Sequence, residues 1–249
     1  TQQIASLTSS QAAALTTAQV SALTSANAAG LTTTALNALS SAQVAKLTTN
    51  VVSALTTTQL QAFGSDQIAG LTTAQINNLT TAAVASLSTD QIALLNTTQV
   101  VAISNAGIAA LSNEAANQLS AAQITAMSTG QITQLETVDL AAFSDAQVGA
   151  LTTSGVAALS TDQVKALSST QVQGITNAGL NALSTAQVAA LTTAQVSSLT
   201  GAQVAGLSTG TLQSLSTAQV AAMTDTQVKA LTTTEVAAMT TAQVQALTT

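Results

Sequence analysis

Residues 183–198 read LSTAQVAA-LTTAQVSS, two octads that share five of eight residues and start again at each Leu. Working outward from Leu183 in steps of eight, every position from Leu7 to Leu247 is Leu, Ile, Met or Phe, which makes 31 positions without an insertion or deletion. Stepping from Val188 in the same way, Ile4 to Val244 are Val, Ile or Leu, with Ala only at Ala12, Ala28 and Ala116. Loops tolerate insertions, so a phase this strict gives every residue of the octad a fixed place. It predicts one continuous array over 1–249 with no internal boundary.

The apolar positions alternate three and five apart. A single long helix needs about 3.6 residues per turn, and its apolar stripe would slip by tens of degrees in each octad. A β-solenoid is the alternative, since Val and Thr favour strands. Ala and Gln do not, and the Gly and Asn that β-coils use at corners hold no fixed phase.

A helix in each octad has a specific mechanism. The Ser/Thr after Leu and the Gln three residues later form a capping box, and the Leu before the cap with the Val at the fourth helical position forms a hydrophobic staple. Leu7 with Ala12, Leu15 with Val20 and Leu183 with Val188 are such pairs. The cap is Ser or Thr in 28 of the 31 octads from Thr8 to Thr248; Gly64 and Asn96 are acceptable caps, and Glu136 alone departs. Gln holds the return position in 20 octads, from Gln3 to Gln243.

Charge placement tests this independently, because a helix favours acids in its first turn and lysines near its end. Glu136 sits at a cap, Asp145 and Asp225 one residue on, Asp66, Asp90, Glu114 and Asp162 two on, and Asp139 and Glu235 at the Gln position. Lys46, Lys165 and Lys229 fall in the last two positions before the next Leu. The prediction is therefore an all-α solenoid of very short helices, about one and a half turns each. Such helices are too short to persist alone. Burial of Leu and Val, at ~1.5–3 kcal/mol per side chain, stabilises them only when neighbours cover both sides.

The bulky substitutes at the Leu position, Phe63, Met127, Phe143, Met223 and Met239, share one phase when counted by sixteen. That favours two octads per coil, and about fifteen coils would then make a rod on the order of 130 Å long.

Composition excludes several classes. Of 249 residues, 5% are charged and 1% aromatic, with no Pro, Cys, His, Trp, Tyr or Arg. A hydrophobic content of 47% separates the chain from disordered sequences. No run of ~18 apolar residues exists to span a membrane. A net charge of −6 with three scattered lysines offers no basic stripe for nucleic acid. No signal or transit peptide is visible; the chain starts at Thr1 inside a repeat, and reads as a stretch of something longer.

Catalytic equipment is missing from the pattern. Ser and Thr abound, but without His no general base stands ready to activate them. The lysines are placed for dipole complementarity. Glu136 and Asp139, with Asp145 nearby, are the closest acidic group and could do acid-base work or hold Ca²⁺; the simpler reading is first-turn acids on adjacent helices. Gly201, Gly206 and Gly210 are scattered through different phases and form no phosphate-binding loop. The expectation is no enzyme, no catalytic, cofactor or metal residues, and no cofactor.

The octad L-[ST]-T-x-Q-[VI]-x-A, running from Leu7 to Thr249, resembles repeats of large, repetitive bacterial surface or secreted proteins described as adhesin-like or haem-utilisation-like. The haem association lacks an axial ligand here, with no His, Tyr or Cys. The resemblance implies an extracellular or cell-surface location and a structural role as rod, stalk or self-assembling fibre, with end-to-end or lateral self-association. The alternative is a binding module presenting rows of Ser/Thr hydroxyls to ice, glycan or another surface; the same hydroxyls could carry glycans.

Overall fold

A computed structural model describes residues 2–247, with side-chain surroundings from Ile4 onward. The last expected cap, Thr248, and the surroundings of Gln3 lie outside the described residues. Among those residues each octad forms one α-helix, from α1 (Gln2–Ala5) and α2 (Ser9–Ala13) to α31 (Thr241–Ala246), each four to six residues long. No strand occurs among the described residues. The fold is the expected all-α solenoid, and the β-solenoid alternative does not form.

The helices stop because Leu and the next cap leave the helical region together. Leu183 and Leu191 have φ/ψ of −64/134° and −57/135°, and Ser184 and Thr192 have −66/160° and −72/157°. Each corner is thus two extended residues, which any L-residue adopts. No described residue has positive φ, so no corner demands glycine. This explains why Gly keeps no phase in the octad.

The chain divides into two compact units, Thr1–Met127 and Ser128–Thr249, while the octad phase runs from Met127 to Ser128 unchanged. In the first unit α2 packs on α5 (Thr33–Asn37), α6 (Ser41–Val44) on α9 (Ser65–Gly70), and α13 (Thr97–Ala102) on α16 (Ala121–Ala126). In the second, α19 (Asp145–Gly149) packs on α22 (Ser169–Gly174), α20 (Thr153–Ala158) on α23 (Asn177–Ala182), and α28 (Thr217–Ala221) on α31. Partners are three helices apart in both units, so one coil is three octads.

This corrects the expectation of two octads per coil. Within the first unit Phe63 and Met127 occupy different corners of the three-helix coil, and within the second so do Phe143 and Met223. Nearly every interior corner buries one large apolar residue, whichever side of the coil it is on, so any corner accepts a Phe or Met. Their common phase by sixteen carries no geometry.

Most interior octads bury three residues, at the Gln, Val and Leu positions, as with Gln163, Val164 and Leu167. The cap and the two residues after it are mostly exposed. The small residues late in the octad allow stacked helices to approach. Close approaches occur between α6 and α9, where a Cβ on Gly70 would lie 2.6 Å from the Ser41 carbonyl oxygen, and between α19 and α22, where one on Gly174 would lie 2.8 Å from the Asp145 carbonyl oxygen and one on Gly149 2.9 Å from that of Gly174.

Candidate functional site

The octad's one recurrent buried polar side chain is its Gln, and α25 (Thr193–Ser198) shows what it does. The Gln195 N–H donates to Thr192 Oγ1 at 3.1 Å, and the Thr192 N–H donates to Gln195 Oε1 at 2.7 Å. Those bonds are the expected capping box, and they satisfy two of the amide groups a helix start leaves open. The same amide then crosses to another coil. Gln195 Nε2 donates to the carbonyl oxygens of Val164 at 2.9 Å and Leu167 at 2.6 Å, at the end of α21 (Thr161–Ala166). Gln195 is 2% exposed, so its donors and acceptor are all matched inside the protein, as buried polar groups must be.

These bonds join into columns. The Leu191–Thr192 peptide gives its N–H to Gln195 and receives Gln219 Nε2 on its C=O at 2.7 Å. In the second unit the pattern runs unbroken from Gln171 on Phe143 O (2.6 Å), through Gln195 and Gln219, to Gln243 on Leu215 O (2.8 Å). In the first unit Gln43 reaches Leu15 O (2.6 Å), Gln67 reaches Leu39 O, and Gln91 reaches Phe63 O (2.8 Å). Side-chain and backbone amides alternate with their dipoles aligned, which polarises successive bonds in the same sense.

Where Gln is missing, the structure compensates or leaves a gap. At α27 (Thr209–Gln213) the position is Thr211, and Asn181 from α23 takes over: its Oδ1 accepts the Ser208 N–H at 2.7 Å and its Nδ2 donates to Gly206 O at 2.8 Å. In the segments Ile103–Gly107 (ISNAG) and Ile175–Gly179 (ITNAG) the position is Gly. The β-branched corner explains it, since a Cβ on Gly107 or Gly179 would meet Ile103 or Ile175 Cγ2 at 2.8 or 2.9 Å.

Two acids take the position without compensation. Asp139 in α18 (Thr137–Ala142) accepts the Glu136 N–H on Oδ2 at 3.0 Å, and Glu235 in α30 (Thr233–Ala238) accepts the Thr232 N–H on Oε2 at 2.6 Å. Each is buried, and Asp139 Oδ1 and Glu235 Oε1 have no hydrogen-bond partner. Burial pushes the Asp139 carboxyl above the ordinary aspartate value; the Glu136 N–H opposes this and the Glu136 charge adds to it. From the sequence, Glu136, Asp139 and Asp145 read alike as first-turn acids on adjacent helices. The structure keeps Glu136 and Asp145 exposed but encloses Asp139.

The remaining singled-out residues are where the helix-per-octad reading put them, or close to it. Lys165 and Lys229 lie in last turns, while Lys46 lies just past the end of α6. Among the described residues no three His, Cys, Asp or Glu side chains gather in a way that could hold a metal ion. No described helix is long and apolar enough to cross a membrane. The cross-coil role of Gln was missed from sequence, although a signal existed: Glu would serve a capping box equally well and suits a helix start better, yet it holds the return position only at Glu235.

A stack of one-helix octads, three to the coil and bonded through a buried amide, defines a class of helical octapeptide-repeat solenoid. More particularly, the chain belongs to the ALTTAQ repeat family, whose model matches residues 51–81, 77–105, 132–169, 165–201 and 201–233, more than half its length. No curated protein matches it.

Proposed function

We propose that the chain is a non-catalytic, extracellular structural protein: a rod, stalk or self-assembling fibre segment of a bacterial surface. The observation that carries this is the coil-to-coil contact. Gln amides on one side of a coil meet carbonyls on the other side of the next, so the contact is heterologous and propagates without closing. Nearest-neighbour stacking of this kind sums stability along the array and can extend indefinitely. The same chemistry supports self-association end to end, with lateral association through the uncharged Ser/Thr surface as a further mode. Electron microscopy of the purified chain at rising concentration tests it. Fibres or lengthening rods are expected; monodisperse short rods at high concentration would contradict end-to-end assembly.

A second reading, a binding module for ice or glycan, is favoured by the hydroxyls after the caps. Thr73, Thr81 and Thr193 are exposed and make no side-chain hydrogen bond within the described residues, so capping does not account for them. They are equally open to glycosylation. Ice-affinity and glycan-binding measurements separate this reading from the first, and the absence of both activities would remove it. Mass spectrometry of native material reads glycosylation directly.

A further inference from the structure

In α30 a carboxyl stands where the array uses an amide. Glu235 is 3% exposed, its Oε2 is engaged by the Thr232 N–H, and its Oε1 has no partner. The octads on either side fix what that oxygen faces. Gln227 Nε2 donates to Val196 O and Leu199 O at 2.8 and 2.7 Å, and Gln243 Nε2 to Leu212 O and Leu215 O at 2.9 and 2.8 Å. Those acceptors lie 31 and 28 residues before each Gln. The same register sets Glu235 against the carbonyls of Val204 and Leu207, at the end of α26 (Gly201–Ala205). An ionised carboxylate there would oppose two carbonyl oxygens with no hydrogen between them, an arrangement that costs desolvation and returns nothing.

We propose that Glu235 is a proton-operated fastener between coils: in its acid form Oε1–H donates to the carbonyl of Val204 or Leu207, doing the work of a Gln amide, and in its ionised form the bond is lost and the coil loosens. The proton comes from solvent, and an O–H···O bond fits the space a Gln N–H···O bond fills. The charged surroundings are sparse. The helix stacked on α30, α27, carries no acid or lysine, nor do the neighbouring α26 and α31, nor α30 itself beyond Glu235. The preceding helix α29 (Asp225–Ala230) carries Asp225 and Lys229, both exposed. The consequence is a joint that tightens in acid within an array whose Gln-made joints ignore pH.

The test is amide hydrogen exchange of α30 and α26 in the full chain, corrected for intrinsic rates, from acid to neutral pH. In the unsubstituted protein protection is expected to rise about tenfold on acidification, the worth of one hydrogen bond. Glu235→Gln restores the repeat residue, and its protection should stay at the higher level throughout. Asp225→Asn removes the neighbouring acid and should keep the rise. A flat profile in the unsubstituted protein, an equal rise in Glu235→Gln, or loss of the rise in Asp225→Asn would each overturn the proposal. So would a gain at neutral pH on adding Na⁺ or Ca²⁺ that Glu235→Gln lacks, since a metal ion would then fill the proton's role.

Discussion

Replacing Gln195 by Met keeps the volume and removes every polar contact of its amide. The Thr192 N–H loses its acceptor, and the carbonyls of Val164 and Leu167 lose the donor at 2.9 and 2.6 Å. The Val164 carbonyl retains a long 3.4 Å bond from the Leu167 N–H, so its loss is partial. At about 1 kcal/mol for each group left wanting, with two full losses and one partial, the cost is about 2–3 kcal/mol. In a nearest-neighbour stack the loss is local: opening of α21 and α25 should rise by about two orders of magnitude. Amide exchange resolved by residue measures this directly. Gln173→Ala is the control, because Gln173 Nε2 also crosses coils, to Ser198 O, but on an exposed surface; it should change stability by less than about 0.5 kcal/mol. If Gln195→Met behaves like the control, the buried amide is not what joins the coils.

Other outcomes follow from the same geometry. Gly174→Ala forces a Cβ to 2.8 Å from a backbone oxygen of a stacked helix and should lower stability by about 1–3 kcal/mol in denaturant melts. Gly210→Ala would meet only Ser208 Oγ, at 3.9 Å, in the first turn of α27, and should raise stability by about 0.5–1 kcal/mol in the same assay. Asp139 has its folded-state pKa raised by burial, so its favourable contribution is full below the ordinary aspartate value and is lost as pH rises through the raised one. Asp139→Asn should therefore be more stable than the unsubstituted chain at neutral pH, with the difference shrinking in acid; thermal melts across pH check the sign.

Much of this fold is legible in the octad because its signals are local. The cap, the return Gln, the Leu–Val staple and the first-turn acids all act within one helix, and Thr192, Gln195, Leu191 and Val196 sit as that pattern requires. The number of helices per coil is not local. It depends on how one corner meets another, and corners as alike as those at Phe63 and Met127 carry no mark of which lies above which. The longer-range information sat in the choice of Gln over Glu, which matters only once an amide N–H is needed by a helix four octads earlier. Asp139 and Glu235 looked ordinary for the same reason: an acid early in a helix is favourable until its second oxygen is enclosed.

The three-octad coil is the centre of this account, and cysteine cross-linking tests it most directly, since the chain has no native cysteine. Thr193→Cys combined with Thr217→Cys places thiols 24 residues apart at the starts of the stacked helices α25 and α28. Thr193→Cys with Thr209→Cys places them 16 apart. With stacked helices about 8–10 Å apart, a short bifunctional thiol reagent should link the first pair rapidly and leave the second unlinked. Rapid linkage of the 16-residue pair with none at 24 would contradict the coil and restore a two-octad repeat.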